Sequence, residues 1–324
     1  MIPFVWRQDF YDAITNSWGK RCDQIYFFTD AIVNLDADFK SDIIKEKDGN
    51  DGYKPYWEYP EGTFPDNVIF VNMTRPWDGC KDEKTGKPKI CRHIWEKMWR
   101  SWVYVADNHL DRAEWFCKID YDTFFFPENL QYFVQDYKQW NAKDEHHYFG
   151  HVLYHRGSTG FVAGPCACWS HKTLMGIADV YREMPKGFMG PERGQCEDRN
   201  GATEEISTNL CLKEGLGVVA EETIDDKHRD FVLVDPYHNH LEWNRTKQGE
   251  WWFWKGKEPE RGQMEECCSD RPIATHKYKH HSQPGHLENQ FYGSNGKENK
   301  DLWNLTPLDR RYVDKVRKAM GTDP

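Results

Sequence analysis

Two pairs of aspartates have the spacing Asp-x-Asp, which can turn two carboxylates toward one metal ion. The first pair, Asp36 and Asp38, lies in a segment rich in charge, glycine and proline, where solvated carboxylates are ordinary. The second pair, Asp120 and Asp122, directly follows the apolar run at 113–119, which predicts a buried strand. Ligands of open α/β sheets bind at the carboxyl ends of strands, so position favours the second pair.

Asp120 and Asp122 have the chemistry of a site for a hard metal ion. Residues i and i+2 of an extended chain point to the same side, so the two carboxylates are expected to face one ion together. Carboxylate oxygens select Mg²⁺ or Mn²⁺, and such an ion can bridge two phosphates and stabilise a departing diphosphate. The pair therefore predicts a metal-dependent site for a diphosphate, with the capping of a turn as the alternative role.

The composition narrows the class of partner. Lysine and arginine number 43 against 53 acidic residues, and the resulting net charge of −10 argues against a nucleic-acid partner. The chain also has 15 Trp, 16 Tyr and 18 Phe, which suit stacking on sugar rings. An aromatic-rich core explains the same numbers, so composition alone leaves both interpretations open.

The cysteines and sequons indicate a secretory protein. Ten cysteines favour disulfides and an oxidising compartment, and three Asn-x-Ser/Thr sequons begin at Asn72, Asn244 and Asn304. Adjacent Cys267 and Cys268 cannot easily bond each other, so each is expected to pair elsewhere. No apolar run reaches the ~18 residues of a membrane span, and any anchor is expected to precede Met1.

A zinc site formed by cysteines and histidines is a weaker alternative to disulfide bonding. The sequence lacks paired C-x-x-C motifs, and His238 and His240 lie in a predicted loop, where histidines usually bind no metal.

Short apolar runs alternate with segments of helical period, which predicts a single α/β domain over residues 1–324. The predicted strands are 2–6, 24–29, 67–73 and 113–119. The predicted helices are 94–105 and segments near 127–138, 170–182, 203–215 and 307–320. The tryptophans of the first helix follow its apolar face and are expected in the core. Residues 183–202 and 221–272 look irregular and could cover a site.

Six segments, in order along the chain, resemble the core 1 β1,3-galactosyltransferase group of the β1,3-glycosyltransferase superfamily. SWGKRC at 17–22 resembles T-W-G-K-R-C, and residues 94–124 resemble the L-W-E-K-T helix, the strand and the D-D-D-T-Y site. GSTG at 157–160 resembles the turn G-G-A-G-Y-V, and EEISTNLC at 204–211 resembles E-D-L-x-L-G-R-C. The last two matches are WWFWKGKEPERGQMEECCSD at 251–270 with F-W-Y-W…C-C-S-D, and Ala274-Thr275-His276 with S-F-H.

The resemblance implies a GT-A type fold, a Rossmann-like mixed α/β domain. Its donor-binding part would cover about 1–125, and its acceptor-binding and base part about 126–324. Asp122 and His276 would ligate Mn²⁺, with Mg²⁺ as the alternative, and Asp120 would join the metal site and position the UDP-sugar donor. Trp95 and Lys97, from the W-E-K element, would also contact the donor.

On the acceptor side, the resemblance implies a single displacement with inversion. Glu205 stands where the family has its general base, an aspartate, and Glu204 is the competing candidate. A solvated helix start is the alternative for both glutamates. Trp252 would stack on the acceptor, although a packed anchor explains the aromatic run equally well. Cys196 and Cys211 bracket Glu205 and are expected to pair.

Three departures from the family pattern surround the expected site. Tyr121 replaces the middle Asp of D-D-D, and Asn209 and Leu210 replace the Gly and Arg of L-G-R-C. A stretch with Cys166 and Cys168 has no clear counterpart. These departures bear on the identity of the sugar more than on the class of reaction.

The sequence thus predicts a β1,3-glycosyltransferase that moves galactose from UDP-galactose to a glycan or glycoprotein acceptor in the Golgi lumen. The alternative is a lectin-like or chaperone-like relative without turnover. An inactive relative would be free to lose its carboxylates and late histidine, so the presence of Asp120, Asp122, Glu205 and His276 favours the enzyme. The resemblance also implies a possible homodimer, because members of this family often form dimers.

Overall fold

The structure is a computed structural model. It describes residues 8–29, 65–71, 80–81, 88–89, 94–154, 160–185, 196–198, 203–241, 262, 264–277, 283–293 and 307–322. The strand predicted at 2–6, the three sequons and the acceptor candidate Trp252 lie outside these residues.

Seven α-helices can be followed in the described residues. They are α1 Gln8–Thr15, α2 Ile94–His109, α3 Pro127–Gln131, α4 His171–Glu183, α5 Glu204–Leu216, α6 Gln283–Tyr292 and α7 Pro307–Met320. Tyr132–Tyr137 and Pro236–Leu241 form π-helical turns, and Trp18–Arg21, Leu110–Arg112 and Met264–Glu266 form 3₁₀ turns. The helix α4 begins where Ser170 Oγ accepts a bond from Thr173 N, and α5 ends at Gly217, whose φ of 68° is left-handed.

Eleven short strands form four sheets within the described residues. The strands are β1 Phe27–Thr29, β2 Val68–Phe70, β3 Cys80–Lys81, β4 Pro88–Lys89, β5 Trp115–Ile119, β6 Thr123–Phe125, β7 Tyr148–Leu153, β8 Phe161–Ser170, β9 Glu221–Glu222, β10 Val232–Leu233 and β11 Ala274–His276. The largest sheet has the order β5-β8-β7-β9, and a second has the order β10-β11-β6. Parallel and antiparallel pairs occur in both, so the sheets are mixed.

Strand β8 lies between β5 and β7 in the largest sheet, and all ten of its residues are buried. Alternate side chains of β8 belong to two different cores, because successive residues of a strand point to opposite faces. Cys166 and Cys168 join one core with Phe133 and Phe149, whereas Trp169 joins the other with Trp102. Both faces of the sheet are therefore covered, as in other α/β domains.

The predicted α/β class is confirmed, and so are most of the predicted elements. Helix α2 buries its apolar face as its period predicts, with Trp95, Met98, Trp102 and Val105 each less than 7% exposed. The expected irregular stretch 221–272 contains two short strands, β9 and β10, and a π-helical turn. Helix α1 and helix α6 were not predicted.

Three disulfides are present in the described part of the chain. Cys196 is bonded to Cys211, as expected. Cys117 of β5 is bonded to Cys168, its direct partner on β8.

The expectation for the adjacent cysteines was wrong, because Cys267 is bonded to Cys268. Hydrogen bonds from Asp230 N to Cys267 O and from Ser269 N to Asp230 O hold this segment beside Asp230, two residues before β10. Both sulfur-bearing residues are buried against Leu233 and Leu241.

Of the helices that the structure describes, none combines the length and the apolar character that crossing a membrane requires.

Candidate active site

Asp120 and Asp122 lie on a tight turn between β5 and β6. Thr123 N donates to Asp120 O at 3.1 Å, and Asp120 N donates to Pro165 O of β8 at 3.1 Å. The two carboxylates are therefore brought together by a turn, and not by an extended strand as the i, i+2 argument assumed. Both side chains remain about a quarter exposed, at 28% and 26%.

His276 reaches this turn through long-range strand pairing. Strand β11 runs antiparallel to β6 with His276 opposite Thr123, and Lys277 N donates to Asp122 O at 3.0 Å. As a result, His276 Nε2 lies 3.3 Å from Asp122 Oδ1. One ligand atom from each of Asp120, Asp122 and His276 falls within 4.8 Å of the others. Two carboxylates and an imidazole suit Mn²⁺, so the donor set fits the expected metal.

Lys118 of β5 is buried beside the turn, with a side chain only 4% exposed. Its Nζ donates to Asp120 Oδ1 at 2.7 Å, to Gly164 O at 2.6 Å and to Glu204 Oε1. Burial would lower the pKa of Lys118, but the carboxylates of Asp120 and Glu204 outweigh it and raise the pKa. Burial likewise opposes ionisation of Asp120, yet the Lys118 charge holds the pKa of Asp120 below its usual range.

Glu204 and Glu205 occupy the first turn of α5, beside the same strand. Glu204 is buried at 7% exposure, and burial, partly offset by Lys118, raises its pKa to about 7. Glu205 is half-buried and lies over Gly164 of β8, where an added methyl group would come within 2.7 Å of Glu205 Oε1. Lys118 therefore links Glu204 to Asp120 of the acidic turn, and Glu205 is the next residue of α5. Sequence reasoning missed this lysine. A lysine inside an otherwise apolar strand was the available signal.

The two other donor candidates lie in the interior. Trp95 is 1% exposed, donates from its indole nitrogen to Glu197 O at 3.1 Å, and meets the Tyr181 ring edge-on. Lys97 is 4% exposed. A donor contact by Trp95 or Lys97 stays a prediction, as does the acceptor contact of Trp252, which lies outside the described residues.

A cavity of about 650 Å³ separates β1 from the edge strand β5. Its lining includes Phe28, Trp102 and Phe116, and also Lys118 and Tyr121, the neighbours of the acidic pair. Its size falls in the usual range for small-molecule sites, about 300–1,000 Å³. The cavity therefore reaches Tyr121 of the acidic turn, whereas Asp120 and Asp122 are not part of its lining.

A second cluster of possible ligands, His151, Asp230 and His240, is fully buried. Asp230 Oδ1 lies 3.5 Å from His151 Nδ1, and Asp230 Oδ2 lies 3.4 Å from His240 Nδ1. Val234 N donates to His240 Nε2 at 3.1 Å, so the neutral imidazole carries its proton on Nδ1, facing Asp230. A metal-bound histidine has the opposite arrangement, with its second nitrogen donating. His240, as it is hydrogen-bonded here, is therefore not arranged as a metal ligand, and the cluster is a buried group of two histidines around Asp230.

Comparison with known proteins finds similarity to a galactosyltransferase. No family model matches the chain. The chain is similar to glycoprotein-N-acetylgalactosamine 3-beta-galactosyltransferase 1 of Xenopus laevis, with 24% identity over 184 residues. It has a distant relative among the galactosyltransferases. The match covers 56% of this chain and 47% of the Xenopus protein, so the chain spans about half the length of that relative.

Proposed function

We propose that the protein is an inverting, metal-dependent glycosyltransferase that moves a sugar from a UDP-sugar to a hydroxyl of a glycan or glycoprotein acceptor. Galactose is the proposed sugar and β1,3 the proposed linkage, because the distant relative is named a 3-beta-galactosyltransferase. The observation that carries the proposal is the meeting of Asp120, Asp122 and His276 next to the helix that begins with Glu204 and Glu205.

On the donor side, Asp120, Asp122 and His276 would hold Mn²⁺. The ion, when bound, neutralises the diphosphate and stabilises it as a leaving group. The residues themselves would set the position of the diphosphate, because the turn and the β6–β11 pairing hold their backbone in place. The cavity of about 650 Å³ is large enough for a nucleoside and reaches Lys118 and Tyr121, although Asp120, Asp122 and His276 are not part of its lining.

On the acceptor side, Glu205 would accept the proton of the attacking hydroxyl. A general base must come within about 2.6–3.2 Å of that hydroxyl, which requires a carboxylate open to the ligand. Glu205 is half-buried, whereas Glu204 is buried and bonded to Lys118. This contrast favours Glu205 as the base.

The secretory pathway, and the Golgi lumen within it, is the proposed location. The disulfides Cys117–Cys168 and Cys196–Cys211 fit an oxidising compartment.

The proposal is tested by Mn²⁺-dependent hydrolysis of UDP-sugars and by UDP binding, in the wild type and in Asp122→Ala. We expect turnover and binding to require Mn²⁺ and to fall at least ~100-fold in Asp122→Ala, because one of three ligands is lost. The matched control is Asp136→Ala, which removes an exposed carboxylate from the π-helical turn at 132–137. Turnover and UDP binding that respond to neither Mn²⁺ nor Asp122→Ala would exclude the enzyme and favour a lectin-like or chaperone-like relative.

The sugar is tested separately by a donor screen with UDP-galactose, UDP-N-acetylglucosamine, UDP-N-acetylgalactosamine and UDP-glucose. We expect UDP-galactose to have the highest kcat/KM. Preference for another donor would overturn the proposed sugar and leave the reaction class intact.

A further inference from the structure

The ammonium group of Lys118 is enclosed by three oxygen atoms from three different elements. Asp120 Oδ1 lies at 2.7 Å on the turn, Gly164 O at 2.6 Å on β8, and Glu204 Oε1 in contact at the start of α5. An ammonium has three N–H donors, so this arrangement uses its full donor capacity. The side chain is 4% exposed, so little water competes for these bonds.

The contacts of Lys118 with Asp120 and Glu204 connect the donor side of the proposed site with its acceptor side. Because Lys118 holds one carboxylate oxygen of Asp120, the orientation of that carboxylate toward Asp122 and His276 is fixed. Because Lys118 also holds Glu204, the first turn of α5 is fixed, and Glu205 is the next residue along it. Without the ammonium, Asp120 and Glu204 would be two neighbouring carboxylates that share no cation, and such a pair repels.

We propose that Lys118 is the positioning residue of this site, which sets the Asp120 carboxylate for metal binding and the α5 start for the base. This inference rests on the proposed function, because Asp120 and Glu205 are its donor-side and acceptor-side groups. Groups that orient a metal ligand typically change metal affinity or activity by about 10- to 100-fold when they are removed. A purely structural ion pair would instead change the fraction of folded protein and leave the affinity of the folded fraction unchanged.

The test is the affinity for Mn²⁺ alone, measured by electron paramagnetic resonance of free Mn²⁺ in the full chain. Lys118→Met keeps the length of the side chain and removes its charge. We expect the Kd for Mn²⁺ to rise about 10- to 100-fold, with kcat reduced even at saturating Mn²⁺. The control is Lys315→Met, which removes a lysine–aspartate pair with the same 2.7 Å separation, to Asp270, in a more exposed position. Its Kd for Mn²⁺ should equal that of the wild type.

A second variant keeps the test decisive if Lys118→Met fails to fold. Lys118→Met combined with Glu204→Gln removes the carboxylate that would be left buried without a cation, so the fold should recover. We expect this double variant to fold with a Kd for Mn²⁺ still at least ~10-fold weaker than in the wild type. A folded variant with wild-type Mn²⁺ affinity would overturn the inference.

The two proposals fail in different ways. If the wild type binds Mn²⁺ but transfers and hydrolyses no UDP-sugar, the proposed function fails while the affinity measurement still decides the role of Lys118. If the wild type turns over and Lys118→Met keeps both its Kd for Mn²⁺ and its kcat, only the role of Lys118 is lost. If the wild type binds no Mn²⁺, both fail.

Discussion

Glu204 and Glu205 are consecutive residues, yet Glu204 is bonded to the buried Lys118 ammonium while the Glu205 carboxylate lies over Gly164. Burial raises the pKa of Glu204 to about 7, a value that is often sought in a general base. Its place does not suit that role, because a carboxylate held by a buried lysine is hard for an acceptor hydroxyl to reach. Position therefore outweighs the pKa, and Glu205 is the better candidate.

Exchanging each glutamate for glutamine should separate the two roles. Glu205→Gln should lower kcat by about 10²- to 10⁴-fold with little change in the donor KM, since the base acts in the chemical step. Glu204→Gln keeps an oxygen that can accept from Lys118, so its loss of kcat should be smaller. Steady-state kinetics with the preferred UDP-sugar measure both values. A greater loss in Glu204→Gln than in Glu205→Gln would reverse the assignment.

Gly164→Ala should damage catalysis without unfolding the protein. The new methyl group would come within 2.7 Å of Glu205 Oε1 and 3.3 Å of Lys118 Nζ. The closer atom, Glu205 Oε1, ends a flexible side chain that can move aside. A displaced base reduces kcat, by up to about 100-fold for a shift near 1 Å.

The control for this substitution is Gly285→Ala on α6, where an added methyl group meets nothing within 4 Å. Thermal unfolding of both variants should stay close to that of the wild type. Wild-type kcat in a folded Gly164→Ala would argue against Glu205 as the base.

His147 should make stability depend on pH. Its Nδ1 lies 3.1 Å from Glu221 Oε2, and its ring stacks on Trp140 at 4.1 Å. Burial would lower the pKa of His147, but the hydrogen bonds to Glu221 and Glu145 outweigh it and raise the pKa. The stabilisation is therefore fully present below the unfolded pKa near 6.5, and it is lost as pH rises through the higher folded value.

Denaturant unfolding at pH 5.5 and pH 8 measures this effect. The difference in free energy of unfolding between the wild type and His147→Gln should be larger at pH 5.5. His146→Gln is the control with the opposite sign, since burial and Lys172 lower the pKa of His146. An equal difference at both pH values for His147→Gln would contradict the prediction.

The Cys196–Cys211 disulfide should stabilise the segment that leads into α5. The two cysteines are 15 residues apart, and closing a loop of this length is worth about 3 kcal/mol in the chain-entropy account. Replacing both by serine should therefore lower the free energy of unfolding by about 3 kcal/mol. It should also lower kcat, because Glu204 and Glu205 lie inside the loop. Cys22→Ser, at a cysteine without a disulfide, is the control. An unchanged unfolding midpoint would show that the bond has no stabilising role.

Local elements of the fold could be predicted, because they leave a period in the sequence. Helix α2 shows its buried stripe at the spacing i, i+3, i+4, and strand β5 is a short apolar run that ends at the acidic turn. Strand β11, by contrast, has only three residues, and its pairing with β6 depends on the whole intervening chain. His276 was therefore found only by its resemblance to a family motif.

Contacts between side chains that are distant in sequence could not be predicted, for the same reason. The Lys118–Glu204 ion pair joins a strand to the start of a helix. The sequence around either residue does not predict the other as its partner. The Cys267–Cys268 bond contradicted the general expectation for adjacent cysteines, and no local sequence pattern indicates it.

Because β6 pairs with β11 so that His276 lies opposite Thr123, we expect the three metal-site residues to come together in a definite order during folding. Asp120 and Asp122 can form their turn as soon as β5 meets β8, whereas the imidazole arrives only when the chain near residue 276 has docked. Contacts between residues so far apart in sequence form slowly, since a long loop must close first. Tight Mn²⁺ binding should then appear late in refolding, and the ion would serve as a chemical reporter of the last long-range step.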